Sequence, residues 1–515
     1  LAPTSNFNYE VVQKESVMKS IIKTICLLTI LASCQPLDEV PFSALSAENL
    51  YQNEADVDAA LYGVYAIMND GINELWYFLA TSGPGESVVV RLKGDGNQGR
   101  LSSLNFTPQD AHGTWWTLFY RGINRANEVI ANVPSVGLDP AVEDAKIAEA
   151  RFLRGFYYFN LVKWFGGVPL HLESTKDFSD ESVKKPRVSV AEVYDVIVSD
   201  LEFAEENLPE SWGAAELGRV TSWVAKAYLG KVYLNMAGKP LEQQEMYAMA
   251  AAKLQDVADN SPHSLLPDFA DVFSSANEFN PEIMHARPNI AQAGAGSVLT
   301  FFTGVPKSPF AFNGGQYQVG FTEAFYNSYD EADNRRDVTL LYSYVNSDGN
   351  TVTYNSPDNP DNLPFGGYND PKGIGFGKLL NFGSPDSPFS HDNDHIYLRY
   401  ADVLLMLAEA LNGSGKSADA LPYLNQVRER AGLEPVTENN QEALLEIIKQ
   451  ERKWELAGEY TEYPDLQRWG DIEASLENNE DAIVFGTVYS ETIELLPIPQ
   501  SQIDANRNLM QNPGY

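Results

Sequence analysis

Between Glu149 and Phe165 the chain is apolar on nearly every side of a helix. Phe152, Leu153, Phe156, Tyr157, Phe159, Leu161, Val162, Trp164 and Phe165 are interrupted only by Arg151, Arg154, Asn160 and Lys163. A helix without a polar face has to be enclosed by other helices. The sequence supplies them, because helical periodicity runs through 54–69, 111–132, 141–165, 189–207, 221–237, 244–260, 396–412, 416–431 and 441–458. Several of these segments read as consecutive antiparallel pairs. Between them, 71–110 and 262–395 are rich in Gly, Pro, Asn and aromatic residues and read as loop regions.

One segment carries a repeat signature. Leu229-Gly230-Lys231-Val232-Tyr233 matches the L-G-x2-Y portion of the tetratricopeptide helix, with Lys226 standing where its Trp belongs. Ala227 and Gly230 are small enough to let a partner helix approach closely, while Ser222, Lys226, Lys231 and Asn235 form a narrow polar stripe. Asp402 and Glu409 share one face of the helix 400–411. Helical hairpins of roughly 34 residues stack to bury faces that one hairpin cannot cover. The expected fold is therefore mainly α, a tetratricopeptide-like helical-hairpin superhelix of about four repeats. Its repeats occupy about 54–260 and 396–475, with a loop-rich, partly β region inserted at about 262–395.

The N-terminal region points to export. Met18-Lys19-Ser20-Ile21-Ile22-Lys23 is a short cationic segment running into Thr24-Ile25-Cys26-Leu27-Leu28-Thr29-Ile30, which is signal-peptide anatomy. The apolar run is shorter than the ~20 residues that span a bilayer. It ends in Leu31-Ala32-Ser33-Cys34, which resembles a bacterial lipobox. Residues 18–33 thus read as a lipoprotein signal peptide, Cys34 as the lipidated first residue of a body covering 34–515, and 1–17 as a misassigned upstream start. Cys26 and Cys34 are the only cysteines, so a body that begins at Cys34 has no internal disulfide. The pair Asp38-Glu39 resembles the surface-export signals of Bacteroidetes lipoproteins. A net charge of −35 argues against a nucleic-acid partner, since binding to polyanions rests on clustered Lys and Arg.

Catalytic constellations are weak. Glu451/Glu455 and Glu455/Glu459 are carboxylate pairs at helical spacing, which read as an exposed face or local ion pairs rather than glycosidase pairs. His391-Asp392-Asn393-Asp394-His395 has metal-ligand residue types but equally suits a turn and a helix cap entering helix 396. Gly373–Lys378 lacks phosphate-loop spacing and reads as a flexible loop. No catalytic residue, metal or cofactor is expected. Tyr342–Val345 and Thr351–Tyr354 flank Asn346-Ser347-Asp348-Gly349-Asn350 as a β-hairpin.

Sugar binding needs flat aromatic faces together with polar side chains for ring hydroxyls. Both sit in the loop regions. Trp76, Tyr77 and Phe78 lie near Arg91, Asn97 and Gln98, and the second region offers Phe301, Phe302, Phe310, Phe312, Tyr317 and Phe321 with Asn313 and Gln316. If the ligand is a glycan, the candidate contacts are Trp76, Tyr77, Arg91, Phe302, Phe310 and Tyr317.

Several blocks resemble the SusD/RagB family of nutrient-binding outer-membrane lipoproteins. Trp115–Glu128 is similar to its W-x-x-x-Y-R-x-I-x-R-A-N-E segment, and Glu149–Phe159 continuing to Phe165-Gly166-Gly167-Val168-Pro169-Leu170 is similar to its most recognisable stretch. Arg399–Met406, Leu424–Arg428, Glu451-Arg452, Asp465–Trp469 and Leu496–Gln500 extend the likeness over the helical scaffold. The chain departs from the pattern at Tyr460 and Glu462, where the family has glycine and arginine, and an ion pair is expected to be rearranged there. The resemblance implies a lipoprotein on the outer face of the outer membrane, a lid over a SusC-like TonB-dependent transporter that binds a glycan without cutting it. A peptide- or protein-binding adaptor of such a transporter is the alternative, and a glycosidase ranks third.

Overall fold

The computed structural model describes residues 50–68, 71–90, 96–110, 112–175, 179–290, 296–305, 317–345, 349–354, 374–380 and 391–515, with the side chains of 71–76, 180 and 181 also outside the description. The expected signal peptide, 18–33, and Cys34 lie outside the described residues. Tyr51–Tyr515 form the unit whose fold follows.

Several helices begin at capping side chains. Asn53 accepts a hydrogen bond from the Asp56 N–H and opens α1, Glu54–Tyr65. After α2 (Gly71–Ser82) and α3 (Gly113–Asn132), Asp139 caps α4 and Pro140 occupies its first turn, Pro140–Phe165. A proline there sacrifices no hydrogen bond that the helix needs. A reciprocal Ser189–Glu192 capping box starts α5, Val190–Asn207. Thr221 caps α6, Ser222–Ala237, which is followed by α7, Met246–Asn260. The second helical block holds α8 (Tyr400–Gly413), α9 (Ser417–Arg430), α10 (Gln441–Glu455) and α11 (Glu462–Trp469).

Each helix packs on its successor from α3 to α9, including α7 on α8 across the long intervening insertion, and α10 returns to pack on α8. This is the stacked-hairpin superhelix expected from the periodicity. Helix α4 is its centre: Phe152, Tyr157, Tyr158, Phe159 and Trp164 are all at most 2% exposed. Of its four interrupting polar residues, Arg151, Arg154 and Asn160 hydrogen-bond within the body, and the Lys163 ammonium lies 4.6 Å from the Phe159 ring centroid. Arg154 grips Asp200 of α5 bidentately, both N–O distances being 2.8 Å, and also donates to Asn127 of α3. Gly230 lies directly under Leu254 of α7, so the small-residue expectation holds. Lys231 of the polar stripe pairs with buried Asp402 at 3.0 Å, and Glu409 takes Arg468 of α11. Among the described residues no helix is long and apolar enough to cross a membrane.

The insertion and the first loop region contribute short antiparallel pairs: β1 (Val88–Val90) with β3 (Val319–Phe321), β2 (Ile283–Arg287) with β8 (His395–Arg399), β4 (Leu340–Leu341) with β7 (Gly375–Phe376), and β5 (Ser343–Val345) with β6 (Thr351–Thr353). Three sequence expectations change. The helix anticipated from 396 starts at Tyr400, because His395–Arg399 stays extended to pair with β2 and turn Arg399 into a carboxylate cluster. Gly375–Phe376 is ladder rather than flexible loop, and Lys378 is buried against Glu459 at 2.6 Å. The region 71–110 contains α2, where only loop was expected.

The carboxylates of α10 face inward. Glu451, Glu455 and Glu282 are fully buried, and Arg335, Arg399 and Arg430 enclose them together with Arg428 from the rim. The exposed-face reading of these residues is overturned, while ion pairing holds, with partners far along the chain. At the departure noted above, Tyr460 stacks on His395 with centroids 3.9 Å apart, and Glu462 accepts from the N–H groups of Glu86 and Ser87 at 2.8 and 3.1 Å. The carboxylate there binds backbone instead of a cation.

Candidate functional site

The two aromatic loop regions meet in space. β1 leads out of the first region and pairs with β3 of the second, Val90 opposite Val319. Just beyond, the Gln98 side-chain amide donates to the Gln318 amide oxygen at 2.5 Å across 220 positions of sequence, and the Gln318 N–H donates to the Phe302 carbonyl at 2.7 Å. The short helix Leu299–Thr303 that carries Phe302 packs against α2, the helix that carries Trp76. Thr300 fastens it to Asn393 at 3.1 Å.

The β5–β6 hairpin completes this face. Its alternation buries Tyr344 and Val352 and exposes Val345 and Thr351, as a half-buried hairpin requires. The buried pair packs with Val305, Tyr317 and Leu341. At the open end of the same hairpin face, the Tyr354 N–H donates to the Tyr342 carbonyl at 2.8 Å, and their rings lie 5.6 Å apart. Tyr326 stacks on Tyr342 at 4.5 Å with planes 22° apart, and the Arg336 guanidinium sits 4.9 Å from the Tyr326 centroid. These three rings are partly exposed. Burial lifts the Tyr326 phenol above its ordinary value, so it stays a neutral donor. Arg336 is held by Asp337 at 2.9 Å, a carboxylate whose side chain is 71% exposed. Glu323, Asp330 and Glu331 are exposed in the same stretch.

Such a row offers apolar ring surface, phenol hydroxyls and an Arg–Asp pair, the combination that a ring bearing many hydroxyls can use. Of the residues expected to touch ligand, Phe302 is partly exposed. Arg91 and Phe310 lie outside the described residues, as does the side chain of Trp76. Tyr317 is 8% exposed at a positive φ of 46° and supports the hairpin from beneath. Tyr77 belongs to the core: it is 5% exposed, meets Trp115 and Trp164 edge-on, and donates to Asn160 at 2.7 Å. It lies on the buried side of α2. Tyr326, Tyr342 and Tyr354 were not among the expected contacts, although the hairpin that presents two of them was legible; the signal was their common parity along its strands.

A tetratricopeptide-like scaffold with an aromatic face built from inserted loops defines a class of helical binding proteins. The chain belongs to the SusD family: residues 258–515 match it, and residues 37–234 match a second model described as "Starch-binding associating with outer membrane". SusD-like protein P2 of Formosa agariphila is 30% identical over 537 residues, 96% of this chain and 99% of that one. Starch-binding protein SusD of Bacteroides thetaiotaomicron is 24% identical, with 81% of each chain covered. Among solved structures, a laminarin binding SusD-like protein superposes with a TM-score of 0.75 at 27% identity, covering 90% of this chain and all of that one. A SusD homolog from Bacteroides thetaiotaomicron shares the fold at a TM-score of 0.80 and 22% identity, covering 91% and 98%.

Proposed function

We propose that this protein is a cell-surface lipoprotein that captures a neutral oligo- or polysaccharide on the aromatic face and delivers it to a SusC-like TonB-dependent transporter of the outer membrane. The carrying observation is the partly exposed row Tyr326–Tyr342–Tyr354. Family membership, the starch-binding SusD and the laminarin-binding relative support a glycan as ligand. The exposed carboxylates around Arg336 and the net charge of −35 favour a neutral sugar over a uronate. Trp76, Arg91, Phe302 and Phe310 are the further contacts in this reading, and Cys34 carries the lipid. The function is binding without bond cleavage.

Affinity electrophoresis and calorimetry against laminarin, starch, alginate and pectin test it. A neutral polymer is expected to bind unhydrolysed, and Tyr342→Ala with Tyr354→Ala to weaken binding about tenfold, some 1.4 kcal/mol, at unchanged thermal stability. Release of reducing ends, preference for alginate, or unaltered binding by the double variant would each remove the corresponding part of the proposal.

A further inference from the structure

A cavity of about 340 Å³ opens on a different part of the molecule, between α1, α4, β2, β8 and the turn at Leu217–Arg219. Its walls are largely ring surface: Tyr65, Phe156, Tyr157 and Tyr397 line it, with Leu153 and Met68 between them. Two residues at its lining, Tyr62 and Leu217, are 50% and 53% exposed. Its size falls in the range of sites that enclose small organic molecules.

Few polar groups in the wall are open to a newcomer. The Tyr157 hydroxyl already donates to the Val64 carbonyl at 2.7 Å and the Tyr65 hydroxyl to Glu149 at 3.0 Å. Arg219 gives four of its five N–H donors to Glu149, Asp58 and Glu216. His285 differs. It is 7% exposed, clasped edge-on by Phe152 and Phe156, and its Nδ1 is 3.0 Å from the Tyr228 hydroxyl. Its Nε2 has no hydrogen-bond partner among the described residues. A phenol is a stronger acid than a neutral imidazole N–H, which favours Tyr228 as the donor to Nδ1 and leaves the ring hydrogen on Nε2 in that tautomer. Burial pushes the His285 pKa down to about 3, with His395 and Lys231 adding to the shift, which keeps the ring neutral.

We infer that this cavity is a second binding site, for a compact, uncharged, mainly apolar ring compound with one hydrogen-bond acceptor that meets His285 Nε2–H. A sugar would leave most of its hydroxyls unpaired against these walls, which costs about 1 to 3 kcal/mol for each buried group. The site shares no described residue with the aromatic face, so the two readings stand or fall separately.

Coumarin, a flat neutral bicycle with one carbonyl acceptor, is the probe. Calorimetry on the purified chain is expected to give saturable binding at a single site, and glucose none. Tyr62→Ala, at the half-exposed rim, and His285→Phe, which keeps the ring packing, are each expected to weaken coumarin at least about fivefold, whereas Tyr342→Ala leaves it unchanged. If His285→Phe fails to fold, Tyr62→Ala alone decides. Absence of saturable coumarin binding, binding of glucose in its place, or equal affinity in the folded variants overturns the inference.

Discussion

Arg399 shows how much a single side chain can hold. At 1% exposure it donates to Glu282 and Glu459, to the Glu455 carboxylate and to the Glu455 carbonyl. Burial alone would favour its neutral form, but Glu459, Glu455 and Glu282 outweigh that and hold it charged. Removing one partner of a buried pair leaves the others uncompensated and costs about 3 to 5 kcal/mol. Arg399→Met should therefore lower the free energy of urea unfolding by at least about 3 kcal/mol, and a loss below ~1 kcal/mol would show the cluster to be dispensable. Asp394 presents the reverse case. Burial first, with Glu278 and Asp392 adding repulsion, raises its pKa from 3.8 to about 7. A raised carboxyl contributes stability that is present below the unfolded value near 3.8 and lost as pH rises through about 7. Asp394→Asn should thus stabilise the protein by about 2 kcal/mol at pH 8 and leave it unchanged at pH 4, a discount on the full shift for its partial exposure. A variant less stable than the parent at pH 8 would contradict this. The spacing of Glu451, Glu455 and Glu459 was legible in the sequence. Their burial was not, because Arg399 and Arg335 lie 56 and 120 positions from Glu455.

Among elements, helices with a strong period and a cap were readable, and those held by their neighbours were not. Helix α2 contains Trp76-Tyr77-Phe78, residues of indifferent helix propensity, and packs on α11 and the short helix Asn97–Ser102. β8 was hidden in the approach to α8 because its partner β2 lies more than a hundred residues upstream. Gly230 was readable as a close contact, and its energetic sign follows from the packing. A Cβ built there would overlap Leu254 of α7, whereas one at Gly63 in α1 meets nothing within 4 Å. Overpacking costs about 1 to 3 kcal/mol, against a gain of ~1 kcal/mol when alanine replaces glycine in a helix. Gly230→Ala should lose about 1 kcal/mol net, while Gly63→Ala gains 0.5 kcal/mol or more, roughly. Equal effects of the two substitutions in denaturant unfolding would mean that the α6–α7 approach is looser than described.

At the scale of the whole molecule, scaffold and binding face follow different sequence logic. The superhelix is written in local periods, so the stacking order from α3 to α9 could be anticipated. The face is assembled by long-range pairings, such as β1 with β3, from segments whose aromatic content was visible but whose assembly was not. Because the proposed binding face has its own support in Tyr317, Tyr344 and Val352, membrane attachment and ligand binding should separate. The proposed lipid on Cys34 carries several acyl chains, which anchors far beyond the marginal hold of one. Cys34→Ala is expected to shift the protein from the membrane to the soluble fraction by an order of magnitude or more. The released protein should bind its glycan with a Kd within about twofold of the parent, less than ~0.5 kcal/mol, while uptake of that glycan by cells falls. Retention in the membrane fraction would discard the lipid anchor. Loss of glycan binding in the released protein would mean that the tether shapes the site as well as holding it.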